Sequence, residues 1–82
     1  TRGKSLLPSG IKGVRGEFDI GDSVTCVDEE GVEVARGLTS YGSDEIRRIM
    51  GMSTKDVEGA LGYKYSDEVI HRDDLAVIEK RR

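Results

Sequence analysis

Eighty-two residues, 35% apolar and 35% charged, suffice for one small domain with a thin core and leave no room for a second. With one Phe, three Tyr and no Trp, the core must come from Val, Ile and Leu, and eleven glycines against one proline point to tight turns and close backbone approaches. A net charge of −3 argues against a strong non-specific grip on phosphates, no apolar run nears the roughly 20 residues of a membrane span, and the single Cys26 permits neither an internal disulfide nor a metal cluster.

In chain order, Leu6-Leu7-Pro8-Ser9-Gly10-Ile11 is a short apolar piece broken by Pro8 and Gly10, read as a strand or a single turn. Glu17 to Asp22 reads as a turn leading into a strand. Ser23 to Val27 is rich in β-branched residues and predicts a strand. Asp28-Glu29-Glu30-Gly31 follows, with Gly31 placed to accept a positive φ after a type I turn, and Val32 to Leu38 returns as the partner strand. Ser43 stands where a helix N-cap belongs, with Asp44 and Glu45 at the positive end of the helix dipole. Ile46, Ile49 and Met50 share one face of that helix, and Gly51 ends it. Ser53 or Thr54 caps a second helix with the stripe Val57, Ala60 and Leu61, closed by Gly62. Val69-Ile70-His71 and Leu75-Ala76-Val77-Ile78, split by Arg72-Asp73-Asp74, are expected as the last strands. The order is mainly β (α+β), with two short helices after a central hairpin.

Charge is unevenly spread. Residues 1–16 carry Arg2, Lys4, Lys12 and Arg15 and no acid, so +4; the other 9 basic and 16 acidic residues give −7. Lys80, Arg81 and Arg82 make a second basic patch. Either these are two solvated ends, or the fold joins them into one basic face on an acidic domain. The chain starts at Thr1 without the apolar stretch of a secretory signal, which favours a fragment or processed chain in a reducing cytoplasm.

The reactive residue types are best read as structure. Asp73 and Asp74, beside Asp67 and Glu68, form a turn rather than a metal or acid–base cluster, which would need a shielding cleft. His71, the only histidine, has no nucleophilic partner at a recognisable spacing and is expected to hydrogen-bond structurally. Cys26, central in its strand, is expected in the core. Tyr41, Tyr63 and Tyr65 are expected at the core or its edge rather than stacking on bases. Gly10-x-x-Gly13-x-x-Gly16, interleaved with Lys12 and Arg15, is neither a phosphate loop nor a dinucleotide fingerprint. It stays open between a close approach for a nucleic-acid backbone and a turn-rich surface connection.

Lys4 through Ile11, Gly21-Asp22, Ala35-Arg36-Gly37-Leu38, Tyr41 through Ile46, Leu61 through Tyr65 and Glu68 through Leu75 closely resemble the C-terminal PUA domain of bacterial glutamate 5-kinases. The resemblance covers nearly the whole chain; Ser40, where many relatives have Asn, departs from it. It implies a single PUA domain over residues 1–82, a pseudo-barrel of about six strands with short helices. It implies no catalytic residue, cofactor or metal in this chain. ATP and Mg are expected instead in a preceding amino-acid kinase domain that phosphorylates glutamate in the first step of proline synthesis. The implied partners are that kinase domain and neighbouring subunits, with no membrane. PUA domains of RNA-modifying enzymes bind structured RNA, and by that likeness Gly10, Lys12, Gly13, Arg15 and Lys80, with Ile11, Val14, Val77 and Ile78 beside them, are the candidate RNA-binding residues.

Overall fold

The computed structural model describes residues 4–78. Its frame is the expected hairpin. Strand β1 (Ser23–Val27) pairs antiparallel with β2 (Glu33–Leu38), placing Val24 opposite Gly37 and Cys26 opposite Ala35. Asp28 builds the reversal: its Oδ1 accepts from the N–H groups of Glu30 (2.9 Å) and Val32 (3.0 Å), while its carbonyl accepts from Gly31 N–H (3.0 Å). Gly31 lies at φ +85°, where a side chain would be strained. The register shifts between Cys26 and Val27, which lets the tight turn meet the twisted pair. Side chains alternate, so Val24 and Cys26 pack toward the core while Ser23, Thr25 and Val27 face water.

Strand β3 (Leu75–Val77) joins the other edge of β2, with Leu75 opposite Gly37 and Val77 opposite Ala35, giving the sheet order β1-β2-β3. Gly37 permits this. A Cβ there would lie 2.5 Å from the Asp74 carbonyl oxygen and 2.8 Å from Ile70 Cγ2, closer than real atoms approach.

Helices α1 (Ser43–Ile49) and α2 (Val57–Leu61) pack against each other, and their buried residues share one core with Val24, Cys26 and Leu75 of the sheet. The core is Tyr41, Ile46, Ile49, Val57, Leu61, Val69 and Ile70, with Leu6, Ile11, Val14, Phe18, Val24 and Leu75 packed around it. Each buried aliphatic side chain contributes about 1.5–3 kcal/mol relative to exposure. Thr39, itself buried, makes the bend from β2 into α1: its hydroxyl donates to the Tyr41 carbonyl (2.7 Å) and accepts from Tyr41 N–H (3.2 Å).

Four expectations need correction. The described residues hold three strands, not about six, plus a single bridge between Leu6 and Ile70. Val69-Ile70-His71 takes part only in that bridge: Leu6 N–H donates to Ile70 (2.9 Å) and Val69 N–H donates to Leu6 (2.7 Å). Pro8, with no N–H, then folds Pro8–Gly10 into a 3₁₀ turn, so the pairing stops. Second, Ser43 is the first helical residue rather than the cap. Gly42 is the N-cap, and its N–H donates to Glu45 Oε1 (2.8 Å). The buried Ser43 hydroxyl instead accepts from Phe18 N–H (3.1 Å), fastening the loop before β1 to the helix. Third, Met50 is exposed, because as the C-cap, at ψ 140°, its backbone has already left the helix before Gly51 turns at φ +82°. Fourth, neither Ser53 nor Thr54 caps α2. A 3₁₀ turn, Thr54–Asp56, leads into it, and the Thr54 hydroxyl donates to the Asp67 carbonyl (3.4 Å). Gly62 closes α2 at φ +87°, as expected.

Candidate functional site

The glycine-spaced stretch is an anchored surface loop. Ile11 and Val14 pack against the core, while Gly10, Lys12, Gly13 and Arg15 are exposed between them. A side chain added at Gly10 or Gly13 would meet nothing within 4 Å, so the backbone there is open to approach. Lys12 Nζ lies 2.9 Å from Glu29 Oε2 on the hairpin turn, and both side chains are about four-fifths exposed (80% and 78%). Such a pair is worth about 0–1 kcal/mol and opens readily for a stronger anion. Gly16 turns at φ +75°, and its carbonyl accepts from Arg47 Nη2 (2.6 Å). Arg47 also reaches Asp44 (3.0 Å) and Glu17 (3.4 Å), so its charge is committed to local carboxylates. Lys80 lies outside the described residues, and with it the idea of one joined basic face.

The tyrosines form a graded cluster. Tyr41 is fully buried; its hydroxyl donates to the Ser66 carbonyl (2.6 Å) and accepts from the N–H groups of Tyr65 and Ser66 (3.1 Å each). Tyr65 lies over it with ring centres 5.3 Å apart, and Tyr63 follows at 5.0 Å from Tyr65. The outer two are exposed. Tyr63 O–H donates to Glu45 Oε2, and chiefly that carboxylate pushes the Tyr63 pKa up to about 12. Lys64 next to it is raised by its bond to Asp67 (2.9 Å). Core and edge, the reading made from sequence, describes this cluster.

His71 and the aspartates are structural too. His71 Nδ1 accepts from Asp73 N–H (3.1 Å) and so caps the 3₁₀ turn Arg72–Asp74 that delivers the chain into β3. Among the described residues no three His, Cys, Asp or Glu side chains converge as a metal ion requires. Cys26 is half-buried against the core, and burial pushes its thiol up, away from the reactive thiolate. One feature escaped the sequence reading: Ile20, Leu38 and Tyr65 line a common exposed groove. Its signals were an isoleucine inside the turn Asp19–Asp22 and a leucine on the outward phase of β2.

A small three-stranded antiparallel sheet, two short helices and a glycine-spaced surface loop on one core make a small α+β domain. The chain belongs to the PUA domain family, which it matches over residues 1–61. Among known proteins it is similar to the glutamate 5-kinases of Syntrophus aciditrophicus (59% identical over 98% of this chain), Caldanaerobacter subterraneus subsp. tengcongensis (58% over 95%) and Myxococcus xanthus (57% over 92%). It spans only 20–21% of the length of these curated relatives. Among the described residues no helix is long and apolar enough to cross a membrane.

Proposed function

We propose that this domain is the non-catalytic C-terminal module of a cytoplasmic glutamate 5-kinase, where it tunes the activity or assembly of the kinase domain. One observation carries the reading: nearly the whole chain aligns, at more than half identity, with only a fifth of enzymes bearing that name. The ATP-dependent phosphorylation of glutamate that opens proline biosynthesis would then belong to the remaining four-fifths, which would also hold the nucleotide and magnesium. The polar groups here support that division, since His71 and Tyr41 spend their hydrogen bonds on backbone and the Ser43 hydroxyl on Phe18 backbone and the Glu17 carboxylate.

The test is deletion of the module from the full-length enzyme. Turnover should persist, while KM for glutamate, inhibition by proline or subunit association changes; a truncated enzyme identical in all three would overturn the reading. A second reading, a module for structured RNA, is favoured by open backbone at Gly10 and Gly13 beside the exposed Lys12 and Arg15.

A further inference from the structure

Ile20, Leu38 and Tyr65, at 52%, 48% and 55% exposure, line one groove, and Tyr63, at 38%, continues it through its ring contact with Tyr65. Nothing local calls for apolar side chains at these places. The turn holding Ile20 is closed by Asp22 N–H donating to the Asp19 carbonyl, and Leu38 ends β2 on the face that Arg36 gives to water. Four large exposed apolar groups gathered in one strip mark a surface that gains by being covered. Exposed tyrosines beside aliphatic residues are the composition of an interface core.

The charge around the strip selects the occupant. Among the described residues, Asp74 is the only charged one lining the groove. The adjoining hollow shares Ile20 and is lined by Glu17, Asp19, Asp22, Asp44 and Glu45; Arg47 beside it offsets Glu17 and Asp44, and the carboxylates of Asp19, Asp22 and Glu45 keep the rim acidic among the described residues. That rim repels a nucleic-acid backbone. It also disfavours a second copy, since a two-fold contact would set the same carboxylates against themselves. An occupant with apolar anchors ringed by Lys or Arg fits. The relatives carry about four-fifths of their length beyond what this chain spans, so such a surface is tethered at high effective concentration. We infer that the strip Ile20–Leu38–Tyr65–Tyr63 is the docking surface for the rest of the longer polypeptide, through an apolar patch with a basic rim. This rests on the reading of the chain as one module of a larger enzyme.

Hydroxyl-radical footprinting of the full-length enzyme, read by mass spectrometry, tests it. Tyr65 should be oxidised several-fold more slowly in the native enzyme than in a Leu38→Asp variant, whose new carboxylate breaks the docking. Tyr41, fully buried, reports folding; if it becomes reactive in Leu38→Asp, the Ile20→Asp variant in the exposed turn replaces it. Equal Tyr65 oxidation in native enzyme and a folded variant overturns the inference. Protection lost on dilution would assign the strip to a second copy, and protection lost on ribonuclease treatment to RNA; either result also overturns it. The proposed function fails separately. A truncation that alters the enzyme while Tyr65 stays reactive sinks only the docking surface, whereas a silent truncation with Tyr65 protected sinks only the tuning role.

Discussion

Gly37 shows how one missing atom decides the sheet. The obstacle to a Cβ is mostly backbone, the Asp74 carbonyl at 2.5 Å and Leu75 Cα at 3.2 Å, so no side-chain rotation relieves it. Gly37→Ala must lift β3 from β2 as well as displace Ile70 in the core. Overpacking of this kind costs about 1–3 kcal/mol, and the urea midpoint of the variant should fall accordingly. An unchanged midpoint would mean that β3 is not held against β2 in solution. Tyr63 makes a different prediction. Its pKa is raised from 10.0 to about 12, so the folded state holds the proton more tightly than the unfolded chain. The Tyr63–Glu45 contribution is therefore complete below pH 10 and disappears as pH rises through about 12; Lys64, raised by Asp67, acts in the same sense. In an absorbance titration of phenolate formation, Tyr63→Phe should remove the step near pH 12, and Glu45→Gln should move it down toward 10. A step near pH 12 that survives both substitutions would refute the assignment.

Elements were legible where local chemistry alone specifies them. The hairpin could be read because Asp28, Gly31 and the β-branched strand each act within five residues. Helix ends at Gly51 and Gly62 were legible for the same reason, since a glycine at positive φ needs no distant partner. Ser43 was misassigned because its partner, Phe18, is 25 residues away; a hydroxyl that caps in isolation is recruited here to hold a loop. The strand expected at Val69–His71 failed on the same ground. Its apolar pair is buried as anticipated, but whether it pairs along its length depends on Leu6, next to Pro8 in a segment read as ambiguous. Of the candidate site, the exposure of Gly10, Lys12, Gly13 and Arg15 was readable from glycine spacing and charge, while the Glu29 pairing was not. The apolar strip joins residues 20, 38 and 65 across the fold, so no window of sequence contains it.

At the scale of the molecule, the charge map separates two surfaces and weighs the RNA reading. Residues 17–82 carry −7, and the carboxylates beside Ile20 concentrate part of it on the docking strip. Nucleic acid is left with the glycine-spaced loop, where Lys12 must first part from Glu29 and Arg15 lies two residues before Glu17. Those two cations neutralise two phosphates at most, so affinity should fall only about three- to fourfold per doubling of salt, against about tenfold for four phosphates. An NMR titration of the 82-residue domain with structured RNA should therefore show shifts at Lys12, Gly13 and Arg15 at low salt that fade at moderate salt, if this face binds RNA at all. Lys12→Ala and Arg15→Ala together should then flatten what salt dependence remains. A slope near tenfold per doubling would require cations beyond these two, with Lys80 and its neighbours as the first to replace. A folded domain whose spectrum does not move at low salt would remove the RNA reading and leave the open glycines as a connection whose shape is set by Ile11 and Val14 beneath it.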